Sequence, residues 1–169
     1  LLAECYENGY GVKEDIGKAV ELYRKADAKN YPPATCALGL CYELGTGVEM
    51  DKAKAVELYR KAAQRGHARS QCNLGFCYYQ GIGVEEDDEE AVKWFQMAAE
   101  QDYARAAALL GECYENGYGV EKRPEKAASC YLKAHKLGSA FGTCSLGLCY
   151  ELGTGVEKNA EKAVQLYRQ

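Results

Sequence analysis

Cysteine is the residue type in this 169-residue chain whose number and spacing most suggest chemistry, since there are nine of them. Three pairs stand five residues apart, namely Cys36/Cys41, Cys72/Cys77 and Cys144/Cys149. On a continuous helix, two such side chains lie about 140° apart around the axis and about 7.5 Å apart along it. This separation excludes both a disulfide bond and joint zinc chelation within one helix. No histidine or carboxylate recurs beside a cysteine in a way that would lower its pKa.

These cysteines are therefore predicted to be small buried hydrophobic residues with free thiols. The prediction concerns above all the five that recur at a constant interval: Cys5, Cys41, Cys77, Cys113 and Cys149. Unpaired buried thiols favour a reducing compartment, so a cytoplasmic location is predicted. No catalytic residue, metal site or cofactor is predicted.

Two further candidates for chemistry are the Gly-x-Gly-Val motif and the histidines. The motif lacks a preceding strand and a third glycine, so it does not fit a phosphate-binding loop. The histidines, His67 and His135, belong to no metal-binding motif. A net charge of −4, from 21 basic and 25 acidic residues, argues against a nucleic-acid partner. No apolar stretch is long enough to span a membrane.

The Gly-x-Gly-Val motif begins every 36 residues, at Gly9, Gly45, Gly81, Gly117 and Gly153. Each 36-residue unit has apolar residues at helical spacing and is predicted to form two helices, A and B. In the second unit these are helix A at 33–44 and helix B at 52–64. Gly45 is predicted to end helix A with a positive φ, and Asp51 to cap helix B.

A single helical hairpin cannot bury its apolar stripe, whereas stacked identical hairpins can. The predicted fold is therefore all-α, a right-handed α–α superhelix (solenoid) of about 4.7 helical-hairpin repeats. The chain opens inside a helix A and stops inside a helix B, so it is expected to be an excerpt of a longer array. A monomer is expected, and end-to-end stacking of copies through the cut ends is the alternative. The predicted single array has units at approximately 1–30, 31–66, 67–102, 103–138 and 139–169.

A longer period overlies these units, because two segments recur 108 residues later without change. They are 4–12, repeated at 112–120, and 38–49, repeated at 146–157. Duplication of a three-unit block explains this, and two equivalent binding surfaces are the alternative.

The combined motif resembles the Sel-one-like repeat (SLR) family, a relative of the tetratricopeptide repeat. It comprises Leu-Gly-x-x-Tyr, Gly-x-Gly-Val, an aspartate, Lys-Ala, an aromatic residue and an alanine, and it covers the whole chain. Only Ala3 and Arg123 depart from it locally. The resemblance implies a non-catalytic protein–protein interaction scaffold or adaptor. An enzyme of the cysteine-rich, β-lactam-binding type is one alternative, although no Ser-x-x-Lys occurs here, and a purely structural spacer is another.

The resemblance also implies that the A helices line a concave face that binds a protein or peptide ligand. The residues carried over to this face change in chemistry from unit to unit. Its apolar members are expected to form an exposed strip. Two arginines flank the strip and are expected to hold a carboxylate, and glutamates add an acidic rim. The predicted partner-binding residues are Leu40, Glu43, Leu44, Arg69, Cys72, Phe76, Tyr79, Gln80, Arg105, Glu112, Glu115 and Asn116.

Overall fold

The structure is a computed structural model that describes residues 2–168. Within this range there are ten α helices and no strand, arranged as five successive helical hairpins. The predicted all-α solenoid class is confirmed. None of the described helices has the length and apolar character needed to cross a membrane. The helices are α1 Leu2–Asn8, α2 Ile16–Ala28, α3 Pro32–Leu44, α4 Lys52–Ala63, α5 Ala68–Gln80, α6 Asp88–Glu100, α7 Ala104–Asn116, α8 Pro124–Lys136, α9 Ala140–Leu152 and α10 Ala160–Tyr167.

The chain divides into two compact units, one up to Glu86 and the other from Asp87 onward. The first unit contains α1 to α5, the second contains α6 to α10, and the boundary falls between the two helices of the third hairpin. Within each unit, helices that follow each other in the chain pack together, and in the second unit α7 also packs against α9. That all five hairpins form a single array stays a prediction.

The residues that precede the B helices stand at one position of the repeat, the position at which Asp51 is predicted to be a cap. Four of these accept a hydrogen bond from the backbone N–H three residues later, namely Asp15, Asp51, Asp87 and Asn159. Arg123 makes no such side-chain bond, and Pro124 occupies the first position of α8 instead. Asp87 and Glu90 have the spacing of a capping box, and one of its two hydrogen bonds is formed, from the backbone N–H of Glu90 to the side chain of Asp87. The carboxylate of Glu90 accepts a hydrogen bond from Trp94 Nε1 further along the helix.

The Gly-x-Gly-Val motif forms a turn that rests on the preceding hairpin. Its first glycine ends helix A in the left-handed region, as predicted, with Gly45 at φ 71°. Its second glycine is needed for two reasons, because its φ is positive and because there is no room for a Cβ atom. A Cβ on Gly83, which has φ +67°, would overlap the backbone carbonyl of Lys52 at the start of α4. Gly119 and Gly155 meet the first residues of α6 and α8 in the same way.

The glycines of three Leu-Gly pairs, Gly39, Gly111 and Gly147, leave room for an aromatic ring from helix B. A Cβ on Gly39 would lie 2.8 Å from Cε1 of Tyr59, whose side chain is completely buried. A Cβ on Gly111 would likewise lie 2.6 Å from Cε1 of Tyr131. A small residue is thus needed where the two helices of a hairpin approach each other closely. The ring packs inside its own hairpin, between helix A and helix B.

A polar cluster ties the second hairpin to the first. Asp27 Oδ1 at the end of α2 accepts hydrogen bonds from Thr35 Oγ1 on α3 at 2.7 Å and from Lys61 Nζ on α4 at 2.6 Å. Burial on its own would raise the pKa of Asp27, but these two hydrogen bonds, together with the positive charges of Lys61 and Arg65, outweigh it and lower that pKa. The second unit has a counterpart, in which Lys133 Nζ lies 2.9 Å from Asp102 Oδ1.

Candidate partner-binding surface

The cysteines occupy packing positions rather than reactive ones. All nine are free, and Cys41, Cys77, Cys113 and Cys149 are buried as predicted, while Cys5 is half-buried. Burial raises the pKa of Cys41 to about 11 and the pKa of both Cys77 and Cys113 to about 12. At neutral pH these thiols are protonated and therefore poor nucleophiles. Residues 2–168 contain no group of three or more histidine, cysteine, aspartate or glutamate side chains placed to hold a metal ion.

The prediction that Cys72 lies on an exposed strip is wrong, because this side chain on α5 is fully buried. Cys36, at the same position of the preceding repeat, is also buried, and Asn73 Nδ2 of α5 lies 3.8 Å from its sulfur. The Cys36 position therefore faces the neighbouring A helix and not the solvent. At the corresponding position of α9, Cys144 is exposed.

Two glutamates of the predicted acidic rim are hydrogen-bonded within their own hairpins. Tyr59 Oη donates to Glu43 Oε2, and Tyr131 Oη donates to Glu115 Oε2, both at 2.6 Å. Burial, together with the adjacent carboxylate, raises the pKa of both tyrosines. Both glutamates are half-buried, so they hold helix A against helix B in addition to any contact with a partner.

The sequence carries a signal for these pairs, which the prediction of an acidic rim missed. A glutamate stands 16 residues before the helix B tyrosine in four of the five repeats, and the other two pairs, Glu7–Tyr23 and Glu151–Tyr167, are also hydrogen-bonded. In the third repeat, phenylalanine replaces the tyrosine at position 95, and position 79 holds tyrosine instead of glutamate. The carboxylate is thus missing from the repeat in which no hydroxyl is available to donate to it.

The remaining candidates of the first unit form what we call the first-unit face, on α3 and α5. Leu44 at the end of α3 is 64% exposed, and Leu40 one turn earlier is half-buried. On α5, Phe76 and Tyr79 are half-buried, with ring centroids 6.5 Å apart. The polar members of the first-unit face are exposed, and they are Arg69 and Gln80. Every member of this face is thus at least partly exposed, and its role in binding a partner stays a prediction.

The candidates of the second unit lie along α7. Arg105 and Asn116 are exposed and Glu112 is half-buried, with Asn116 Nδ2 donating to the backbone carbonyl of Glu112 at 3.1 Å. Phe141 on α9, which the family resemblance also assigns to the concave face, is 50% exposed and forms a T-shaped contact with Tyr131 at a centroid distance of 6.3 Å.

A cavity of about 300 Å³ opens on this side of the second unit. We call it the anchor pocket, and its lining is largely apolar. The residues that line it are Arg105, Ala108, Leu109, Glu112, Ser139 and Phe141. Sequence reasoning identified the two charged residues but not the cavity, because the space depends on the small size of Ala108 and on a side chain from the following repeat.

Stacked hairpins of this kind, with glycine-ended A helices and capped B helices, define a helical repeat protein. The family model of the Sel1 repeat matches residues 1–29, 32–67, 68–103, 104–139 and 140–169. The chain therefore belongs to the Sel1 repeat family, whose members are generally protein–protein interaction scaffolds.

Solved structures of similar proteins agree with this fold. A Sel1 repeat protein from Oxalobacter formigenes is 36% identical, with a TM-score of 0.94 over 99% of this chain and 68% of its own. A protective antigen present in uropathogenic Escherichia coli strains, described as displaying an SLR fold, is also 36% identical, with a TM-score of 0.91. The match covers 99% of this chain but only 36% of the antigen. Cysteine-rich protein B of Helicobacter pylori is 29% identical, with a TM-score of 0.56 over 72% of this chain and 86% of its own. A search of curated proteins found no match.

Proposed function

We propose that this chain is a non-catalytic adaptor whose A helices bind a peptide or protein segment. The observation that carries the proposal is the contrast between two sets of A-helix positions. Core positions such as Leu38, Leu74 and Leu110 are buried and keep their residue type from repeat to repeat. The neighbouring solvent-facing positions vary in chemistry, and several bear apolar side chains that the chain itself leaves uncovered.

These uncovered side chains favour binding over a spacer role. Leu44 on the first-unit face is 64% exposed, and Leu148 and Leu152 on α9 are 44% and 63% exposed. Large apolar side chains exposed together are typical of interaction sites. Phe76 and Tyr79 add the aromatic residue types that contribute most to binding energy in interfaces. Arg69 supplies a charge that can pair with a carboxylate on the partner.

The compartment and the oligomeric state of the protein are part of the same proposal. Nine free thiols, most of them buried, suit a reducing compartment such as the cytoplasm. We propose a monomer that presents these faces to a different molecule.

The proposal is tested by selecting peptides that bind the chain from a displayed random library and measuring their affinity by calorimetry. The test variant replaces Leu44, Phe76 and Tyr79 with alanine together, which removes the apolar part of the first-unit face. Met50→Ala is the matched control, because Met50 is 59% exposed and lies in a loop of the same unit. Circular dichroism establishes that both variants are folded.

We expect the peptides selected against the chain to include ligands that bind the triple variant at least tenfold more weakly and the control with unchanged affinity. Ligands whose affinity is the same for the triple variant and the native chain would remove the first-unit face from the proposal. A selection that yields no peptide with measurable affinity would contradict peptide binding as the function.

A further inference from the structure

The anchor pocket on the second unit carries an inference about the chemistry of the partner, and it rests on the proposed function. It is lined by Ala108 and Leu109 on α7 and by Phe141 on α9. The ring of Phe141 is in T-shaped contact with that of Tyr131, and Phe141 is 50% exposed. A volume of about 300 Å³ lies at the lower end of the range for ligand pockets. Such a space suits one apolar side chain together with the backbone on either side of it.

The pocket has two charged residues, Arg105 and Glu112, and both lie on α7. Arg105 and Glu112 are seven residues apart on α7, which puts them about 10.5 Å apart along the axis and within about 20° of the same face. Arg105 is in the first turn of α7, where the helix dipole favours an anion, and Glu112 lies towards the end of the helix, where it favours a cation. The positive side chain of Arg105 thus lies towards the positive end of the helix dipole, and the negative side chain of Glu112 towards its negative end.

Both residues have contacts within the protein, and both side-chain types have several hydrogen-bonding positions. A guanidinium has five N–H donors, and a carboxylate has about four acceptor positions. Arg105 is exposed and Glu112 is half-buried, so both are reached from solvent.

The spacing of these charges matches an extended chain. Alternate side chains of an extended peptide point the same way, and residues i and i+4 are about 13 Å apart. An acidic residue at i, an apolar residue at i+2 and a basic residue at i+4 therefore all face the helix. The excess over the spacing of about 10.5 Å along the helix is small compared with the reach of the arginine side chain.

We propose that the anchor pocket binds an internal segment of a partner protein that carries an apolar side chain between an acidic and a basic residue, at alternate positions of an extended chain. The apolar side chain fills the space between Ala108 and Phe141. The carboxylate pairs with Arg105, and the cation pairs with Glu112. The apolar contact supplies most of the affinity, and the charges select the sequence.

The test uses the whole chain and synthetic nine-residue peptides, acetylated and amidated so that terminal charges do not contribute. The parent peptide has the core Asp-Ala-Leu-Ala-Lys between glycine–serine flanks and carries a fluorophore for anisotropy titration. Three derivatives change one position each: the leucine to alanine, the aspartate to asparagine, and the lysine to glutamine.

We expect loss of the leucine to weaken binding about tenfold or more, because burial of that side chain is the main source of affinity. Neutralising either charge is expected to weaken binding about three- to tenfold, with a smaller effect at high salt. No binding of the parent peptide at millimolar concentration overturns the inference, and so does binding that is independent of the leucine.

Protein variants assign each charge to its partner. Arg105→Gln is expected to abolish the preference for aspartate over asparagine while keeping the preference for lysine over glutamine. Glu112→Gln is expected to do the reverse. Met97→Ala is the matched control, because Met97 is 43% exposed on α6 of the same unit and lies outside the pocket. It is expected to keep both preferences.

A merely structural role for either residue would weaken all four peptides equally, and that result overturns the inference. Failure here is distinguishable from failure of the proposed function, which is tested independently on the first-unit face. Display-selected ligands that depend on Leu44, Phe76 and Tyr79 would support the adaptor function even if the anchor pocket shows no charge selectivity.

Discussion

The hydrogen bond between Tyr59 and Glu43 allows the clearest test of how each hairpin is held together. Tyr59→Phe removes the hydroxyl that donates to Glu43 at 2.6 Å and leaves the ring in contact with Gly39. A hydrogen bond to a charged group contributes about 1.5–3 kcal/mol to stability. Glu43 is half-buried, so water replaces part of the lost interaction in the variant. We therefore expect a loss of about 1.5 kcal/mol in the free energy of unfolding, at the lower end of that range.

Urea unfolding followed by circular dichroism measures this change, since it reports on all the helices together. Tyr167→Phe is a graded comparison, because it removes the equivalent bond to Glu151 at 2.8 Å from a tyrosine that is 47% exposed. Its effect on the midpoint is expected to be smaller. Tyr10→Phe is the control, because Tyr10 is 69% exposed in a turn. That midpoint is expected to stay unchanged.

A double-mutant cycle isolates the bond itself. Glu43→Gln, Tyr59→Phe and the double variant are compared with the native chain, and the sum of the single effects is expected to exceed the effect of the double variant by about 1 kcal/mol. Additive effects would mean that the two groups do not interact. A midpoint for Tyr59→Phe no lower than that of Tyr10→Phe would refute the reasoning from burial and distance.

Three further predictions concern backbone, charge and thiol chemistry. Gly83→Ala should lower the melting temperature more than Gly66→Ala. Both glycines have positive φ, but only at Gly83 would the added Cβ overlap the backbone of the preceding hairpin. Equal shifts in melting temperature would contradict this. The pKa of Asp27 is lowered in the folded state, so its contribution is present above its unfolded pKa near 4 and is lost as the pH falls through the folded value. Asp27→Asn should therefore reduce the acid-induced loss of stability measured in melts at decreasing pH, and an unchanged pH dependence would contradict this. A disulfide reagent at neutral pH should label exposed Cys144 quickly and Cys77, with its pKa raised to about 12, only upon unfolding. Rapid labelling of Cys77 in the native chain would count against its burial.

Local signals account for the parts of the fold that the sequence predicted. A cap such as Asp51 acts on the amide three residues later, and the φ at Gly45 depends on its own backbone. Both act within one repeat, so a pattern of residue types is sufficient to identify them. Repetition at a constant interval then implies stacking, because each hairpin leaves an apolar stripe that only a neighbour can cover.

The candidate site was harder to predict because it depends on contacts between helices. Cys72 stands at a position that the repeat pattern assigns to the surface, yet its side chain is fully buried, and no single-helix pattern carries that information. Glu43 has the polarity of a rim residue, yet a tyrosine 16 residues away holds its carboxylate. The anchor pocket requires Ala108 to be small and Phe141 to project from the next hairpin, so it has no signature in either repeat alone.

The turn that follows each A helix has a consequence for how such chains change in length. The second glycines at 83, 119 and 155 each approach the main chain at the first residue of the B helix one hairpin earlier, and main-chain atoms are the same whichever amino acid stands there. A joint made in this way does not depend on which side chain stands at that position, so it places no constraint of its own on copying, deleting or exchanging a whole 36-residue module. The two segments that recur unchanged after 108 residues are what such copying would leave behind.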